Sequence, residues 1–377
     1  MNILHINSYY AIGSFYKNLF QKQIDTGHHL QVYIPAIKQF NDNNRDFGDY
    51  STISPILDKF DRFFFKRKQR LLLSDLTQKI KIDDIDLVHS HSLFTNGYLA
   101  LNIKKRYGIP YLAAIRNTDV NIFFKYMIHL RKYGIEVMNQ ASYLIFLSPK
   151  YRDFIIKKYI PEKSKQTHMK KSIIIPNGID EFWFKNKNQK KRKPKEKEIN
   201  LLFVGNIDKN KNVLTTLKAI GILQKKGYQI KFTIVGKILD QSIYKKIQKN
   251  SCVSHKNYSP KEKLLEIYKK NDIFIMPSKT ETFGRVYPEA MSQGLPVIYS
   301  KGQGFDGQFP EGTVGYHVNS SEPEDIAEKI ECILKNYEQI SENCIEKAER
   351  FTWDPISEEY NDLYLKIKNQ KGEKIDG

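Results

Sequence analysis

The chain has 377 residues, 40% of them hydrophobic and 27% charged, with 61 Lys and Arg against 42 Asp and Glu and a formal charge of +19. That length suits two α/β domains of ordinary size, and without any run of about eighteen apolar residues it excludes a membrane-spanning helix. The charge is lopsided: residues 1–198 hold 35 basic against 18 acidic side chains, a net of +17, whereas residues 199–377 hold 26 against 24, a net of +2.

Met1 to Asn7 has no positive n-region and no long apolar core, so it reads as a buried first strand and not as a signal peptide. Further strands are expected at residues 30–34, 86–90, 111–115, 143–147 and 172–176, each a short apolar run with amphipathic helical sequence between them. This alternation predicts layers around a parallel sheet. Between Leu57 and Arg70 six basic residues stand among Phe60, Phe63, Phe64 and Phe65. A helix here is both amphipathic and basic; it either rests on an anionic membrane surface or packs its phenylalanines on the core. Asp83, Asp84 and Asp86 superficially offer an Asp-x-Asp metal site, but they lead into a strand with nothing else to support one, and no metal is assigned.

The basic stretch from Lys185 to Lys197 contains Pro194 and has no face to bury; it reads as a linker, with nuclear localisation as the alternative. Strands resume at residues 200–205, 230–236, 272–277 and 296–299. A helix over 260–270 shares a face among Leu264, Leu265 and Tyr268, with Ser259 as its N-cap. Cys252, Cys332 and Cys344 have neither metal-ligand spacing nor a C-x-x-C pair, as expected of reduced thiols in a cytoplasmic protein.

The chemistry concentrates between Ser278 and Val297. This segment follows an apolar strand, so it lies at the carboxyl edge of a parallel sheet, where open α/β folds bind ligands. Pro288 fits the first turn of a helix starting near Tyr287, and Gly294 fits its end. Glu281 then sits in the loop and Glu289 in the opening turn. Helix N-termini attract anions, Gly284 lets a ligand approach the backbone, and carboxylates accept from sugar or ribose hydroxyls.

The segment resembles the E-x7-E motif of glycosyltransferase family 4, the retaining enzymes of GT-B fold. Asn177-Gly178-Ile179-Asp180, Val204-Gly205 followed by Lys211-Asn212, and Asp86-Leu87-Val88-His89-Ser90-His91 resemble other family signatures in the same order. The resemblance implies an α/β chain of two Rossmann-like domains whose parallel sheets face across a cleft. The expected division is an acceptor domain over 1–180, a basic linker over 181–198, a nucleotide-sugar domain over 199–352, and a C-terminal helix from 353 returning to the first domain.

It further implies that Glu289 binds the nucleotide ribose, that Glu281 faces the donor sugar, and that Lys211 neutralises the diphosphate of a UDP- or GDP-sugar. Backbone groups at Phe283 and Gly284 would meet the sugar, and Gly13 would lie in the loop over the leaving diphosphate. Two positions depart from the family. Asn206 replaces the arginine after Gly205, leaving Arg285 to supply part of that charge. Arg116-Asn117-Thr118-Asp119 stands where the family has H-G-x-D, so Arg116 would contact a phosphate of donor or acceptor and Asp119 would orient it or bind a hydroxyl. His89 and His91 end a strand, and both read as structural, with His91 the one able to face the cleft. The expected activity is hexosyl or related transfer without a metal, from a nucleotide sugar to a saccharide or lipid-linked acceptor in polysaccharide or glycolipid synthesis. The expected setting is cytoplasmic, peripheral to the membrane. A sugar-nucleotide epimerase of the same fold is the alternative, and a nucleic-acid-binding protein is disfavoured by the lack of any reader motif.

Overall fold

A computed structural model describes residues 1–11, 14–41, 45–188 and 193–372. They divide into two compact units: unit 1 comprises Met1–Leu147, Arg152–Ile175 and the residues from Trp353 on, and unit 2 comprises Ser148–Tyr151 and Pro176–Thr352.

Unit 1 is built on seven parallel strands. They are β1 (Asn2–Ile6), β2 (His29–Ile37), β3 (Ser51–Leu57), β4 (Leu87–Ser90), β5 (Tyr111–Ala114), β6 (Tyr143–Phe146) and β7 (Ser172–Ile174), in the spatial order β3-β2-β1-β4-β5-β6-β7. β1 and β4 are in register from Ile3 with Leu87 to Ile6 with Ser90. The helix Trp353–Gly372 belongs to this core: Trp353, Ile356, Tyr360, Leu363 and Tyr364 are buried in one cluster with Leu19, Phe20 and Val32. Asp86 leads into β4 and accepts the N–H of Asn2 at 2.8 Å, a structural use of that acidic stretch.

Unit 2 has six parallel strands: β8 (Glu198–Val204), β9 (Gln229–Val235), β10 (Val253–Lys256), β11 (Ile273–Ile275), β12 (Val297–Ser300) and β13 (Gly315–Val318), in the order β10-β9-β8-β11-β12-β13. Central strands are apolar on both faces because helices cover both; β12 is buried at all four residues. In both sheets the order reverses direction beside the first strand of the unit, which opens the carboxyl edge to ligands.

Several local expectations are corrected. The expected linker begins with a helix, Glu181–Lys185, because Asp180 caps it by accepting the N–H of Phe182 at 2.8 Å and Trp183 is buried. Part of the basic stretch, 189–192, lies outside the described residues. The helix Lys261–Lys269 buries Leu264, Leu265 and Tyr268, but Ser259 does not cap it: its hydroxyl donates to the carbonyl of Asn257 at 3.2 Å. Residues 57–70 do not form one helix. β3 ends at Leu57, a 3-10 turn runs over Lys59–Arg62, and an α-helix starts only at Phe65. Of the four phenylalanines only Phe65 is buried.

Candidate active site

Two loops of unit 2 are fastened together at the carboxyl ends of β8 and β11. After β8, Gly205 donates to Val235 at 2.9 Å, and Asn206 is exposed. Asp208 then closes an Asx turn, accepting the N–H groups of Asn210 and Lys211, both at 2.8 Å. Asn210 holds the second loop on both sides: its Nδ2 donates to the carbonyl of Thr280 at 2.9 Å and its Oδ1 accepts the N–H of Thr280 at 3.0 Å. Asn212, in the left-handed region at φ 60°, donates from Nδ2 to the carbonyl of Pro277 at 3.1 Å.

This clamp brings Lys211 and Glu281 together, Nζ to Oε2 at 2.6 Å, with only 20% and 14% of their side chains exposed. Glu281 is held from three directions. Its N–H donates to the Gln303 side chain at 3.0 Å, its carbonyl accepts from Gly304 at 2.7 Å, and its Oε1 accepts the N–H of Thr282 at 3.1 Å. Gly304 has no alternative residue, since a Cβ there would lie 2.0 Å from the carbonyl carbon of Thr282.

Phe283 turns inward against Phe305 and Phe351, so only its backbone is offered to a ligand. Gly284 follows at φ +79°, and a Cβ would strike the Tyr287 ring at 2.5 Å. Tyr287 is in turn fixed by its hydroxyl, which donates to the carbonyl of Met276 at 2.6 Å. The helix Val286–Ser292 begins here; Tyr287 donates its N–H to the carbonyl of Gly284 at 3.0 Å, Glu289 donates to that of Arg285 at 3.2 Å, and Pro288 has no N–H. Arg285 is exposed at its N-cap position, and Glu289 is partly buried in its first turn. Burial pushes the Glu289 carboxyl up to about 7, against the pull of the Arg285 charge and of the Tyr268 hydroxyl, which donates to it at 3.4 Å. Tyr268 packs edge-on against Trp183, and Gln293 donates to the Trp183 carbonyl at 3.2 Å, which ties the capped helix after Asp180 to the site helix.

In unit 1 the expected residues are inside the protein. Asp119, 1% exposed, accepts three N–H groups: Leu93 at 3.0 Å, Phe94 at 3.1 Å and Arg116 at 2.9 Å. Burial pushes its carboxyl up to about 6, and those N–H groups and the Arg116 charge pull against that rise. Arg116 is 7% exposed, with its guanidinium 6.0 Å above the Tyr16 ring. His89 and His91 are both fully buried and form a stack with His5. His5 Nδ1 meets His91 Nε2 at 2.9 Å, and His89 Nδ1 meets the Tyr364 hydroxyl at 2.8 Å. Gly13 lies outside the described residues.

Among the described residues, two groups offer metal-ligand atoms within 4.8 Å of one another: His5, His89 and His91, and Asp306, Glu311 and His317. The charge of Arg116 bears on both His89 and His91 and opposes a cation there. In the second group His317 Nδ1 lies 3.2 Å from Asp306 and 2.9 Å from Glu311, while Asp306 also accepts the N–H of Gly302. These bonds already use the group to brace the loop before β13. No helix is long and apolar enough to cross a membrane among the described residues.

The site residues missed from sequence are Asp208, Asn210, Tyr268, Tyr287 and Gln303. Only Asp208 left a readable signal, an Asp two residues ahead of a loop asparagine. The others act through contacts from distant parts of the chain.

With this geometry in place, comparison with known proteins decides the family. The model for glycosyltransferase family 4 matches residues 3–181 and the model for glycosyl transferases group 1 matches residues 184–351. The chain belongs to glycosyltransferase family 4. It is 27% identical over 286 residues to an uncharacterized glycosyltransferase of Methanocaldococcus jannaschii, covering 73% of this chain and 74% of the relative. It is also 27% identical over 238 residues to the capsular polysaccharide biosynthesis glycosyltransferase CapM of Staphylococcus aureus, covering 59% of this chain and 61% of CapM. Among solved structures it resembles Anabaena HepE in complex with UDP, with a TM-score of 0.70 at 14% identity, covering 97% of this chain and 100% of HepE. The family 4 chain is thus a glycosyltransferase enzyme, with the two-unit parallel α/β architecture of the GT-B enzymes.

Proposed function

We propose that this family 4 enzyme takes a sugar from a UDP- or GDP-linked donor and passes it, with retention, to a saccharide or lipid-linked acceptor in cell-surface polysaccharide or glycolipid synthesis. The observation that carries this reading is the Lys211–Glu281 pair, held at 2.6 Å beside the Gly284 turn, with Glu289 in the helix that follows. A lone carboxylate already satisfies Lys211, so a diphosphate has to outcompete it. Two negatively charged phosphates do so readily, and a charge-assisted bond of this kind contributes about 1.5–3 kcal/mol. As the lysine swings to the diphosphate, Glu281 is released to accept from the donor sugar.

Glu289 accepts from the ribose hydroxyls. The backbone of Phe283 and Gly284 meets the sugar, while Arg285 adds the cation that Asn206 lacks beside Gly205. In unit 1 Asp119 is a positioning residue whose oxygens fix the Arg116 turn, and Arg116 is the cation that meets a phosphate of donor or acceptor. Cationic side chains and helix N–H groups stabilise the departing diphosphate, so no metal takes part. The leaving phosphate oxygen helps to deprotonate the acceptor on the same face, which retains configuration. The CapM and HepE relationships support a polysaccharide-related role and a UDP-type donor. A cytoplasmic setting completes the reading.

The test is incubation with a panel of UDP- and GDP-sugars in EDTA, followed by NMR of the product anomer. Released UDP or GDP with a retained linkage is expected. An inverted product, strict manganese dependence, or a sugar nucleotide epimerised without release would overturn the reading.

A further inference from the structure

Exposed phenylalanines are costly, since burying one contributes roughly 1.5–3 kcal/mol. Unit 1 nevertheless presents three within five residues: Phe60, Phe63 and Phe64 are 71%, 65% and 58% exposed. The segment carrying them is built, not loose. Asp58 and Asp61 cap the 3-10 turn reciprocally, and the buried Asp61 also accepts Arg67 from the following helix at 2.5 Å.

A second segment presents the same chemistry. Tyr126 and Ile128 are 67% and 65% exposed, on a turn that Arg131 fixes by donating to the carbonyl of Phe124 at 2.7 Å. The two segments meet at one ring. Phe65 stacks on Tyr133 at 5.6 Å, and Lys66 and Lys132 both lie near that ring, at 5.8 and 5.3 Å from its centre. Lys59 and Lys125 are exposed beside the apolar tips. Between 59 and 68 and between 122 and 133 the sequence has a single acid, Asp61, and that one is buried.

We infer that this face docks on an anionic lipid bilayer. Apolar tips flanked by lysines, with the one partly exposed acid of the turn, Asp58, paired to Lys38 at 3.0 Å, match acyl chains beneath anionic headgroups. A nucleic acid fits less well, because Ile128 offers no π face for a base. The inference stands apart from the donor chemistry proposed for unit 2.

Co-sedimentation of the full chain with phosphatidylcholine vesicles, with and without phosphatidylglycerol, tests it. Binding should require phosphatidylglycerol and fall with salt. Each of Lys66→Gln and Lys132→Gln should lower partitioning about fivefold, and Phe60, Phe63 and Phe64 changed together to Ser should lower it more. Lys245→Gln, on unit 2, should change nothing. Melting temperature and calorimetric UDP and GDP binding should stay the same in every variant, so a failure of docking is distinguishable from a failure of the donor site. Equal binding to pure phosphatidylcholine, or no binding to anionic vesicles at low salt, would overturn the inference. So would sedimentation velocity showing that the Phe→Ser variant merely dissolves a dimer.

Discussion

The two units share a parallel-sheet plan but dispose of their signature residues in opposite ways. In unit 1, His89, His91, Arg116 and Asp119 are all less than a tenth exposed; Asp119 accepts the N–H of Arg116, and His89 and His91 each meet another side chain through one ring nitrogen. In unit 2, Lys211 and Glu281 stand at a loop rim, partly exposed, and Arg285 is open to solvent. The contrast teaches that a motif matched in sequence can be buried in one sheet, where Arg116 alone is proposed to reach a ligand, and stand at an open loop rim in the next. Where each donor and acceptor ends decides which it is.

The comparison breaks most visibly with acid. Burial holds His5, His89 and His91 well below the ordinary histidine value, His5 at about 3, reinforced by the charge of His28 at His5 and of Arg116 at His89 and His91. Unfolded, each takes a proton near pH 6.5. Between those values the unfolded state binds more protons, so stability is present above about 6.5 and lost as pH falls below it. The slope is about 1.4 kcal/mol per pH unit for each histidine, so about 4 kcal/mol for the three over one unit. Denaturant unfolding at pH 7.5, 6.5 and 5.5 should show this loss, and His5→Phe should reduce the slope by one histidine's share. Asp119 and Glu289, raised to about 6 and about 7, tilt the other way over the same window, so the His5→Phe difference is the decisive reading: a variant slope equal to that of wild type would show that the stack is not neutral.

Asp119→Ala should come next. It strips the acceptor from three N–H groups, two of them on the fully buried residues Leu93 and Phe94, at about 1–3 kcal/mol each if unsatisfied, and should lower stability by at least about 3 kcal/mol. Lys211→Ala and Glu281→Ala should scarcely move the melting temperature. Lys211→Ala should instead cost tenfold to a hundredfold in binding of diphosphates over nucleosides, and Glu281→Ala should depress kcat more than KM. If Asp119→Ala melts like wild type while activity disappears, Asp119 itself meets a ligand and is not a positioning residue, and the contrast fails.

Most of the sheet was legible from sequence because its inner strands are buried on both faces and so read as continuous apolar runs. The strands that escaped, β3, β10 and β13, are all edges of their sheets. β3 contains Pro55, which an edge tolerates, and β10 alternates between half-buried and exposed residues. Glu281, Glu289, Gly284 and Lys211 were legible because a local motif places them. The supports around them were not: Asn210 reaches Thr280 across 70 positions, and Tyr268 reaches Glu289 across 21. Spacing along the chain carries no trace of such contacts. The 57–70 segment misled because its composition suits a helix, whereas the Asp58–Asp61 turn interrupts it and faces three phenylalanines outward.

The smallest effect sharpens the comparison from the side of unit 2. With the Glu289 carboxyl raised to about 7 by burial, roughly half of the free enzyme carries it protonated at neutral pH. Ribose hydroxyls donate more strongly to a carboxylate than to a neutral acid, about 1.5–3 against 0.5–1.5 kcal/mol per bond. Nucleotide binding should therefore expel the proton. Affinity should rise as pH goes up through 7, level off above it, and weaken about fivefold once pH is well below. Calorimetry of UDP and GDP at pH 6, 7 and 8, in two buffers of different ionisation enthalpy, would count the proton directly. Glu289→Gln should flatten the profile while keeping part of the binding, because the amide oxygen still accepts. Tyr268→Phe should move the midpoint upward, since the lost hydroxyl had favoured the charged form. A wild-type profile without a step near 7 would mean that Glu289, like Asp119, is spent inside the protein, and the two units would then differ less than their exposed residues suggest.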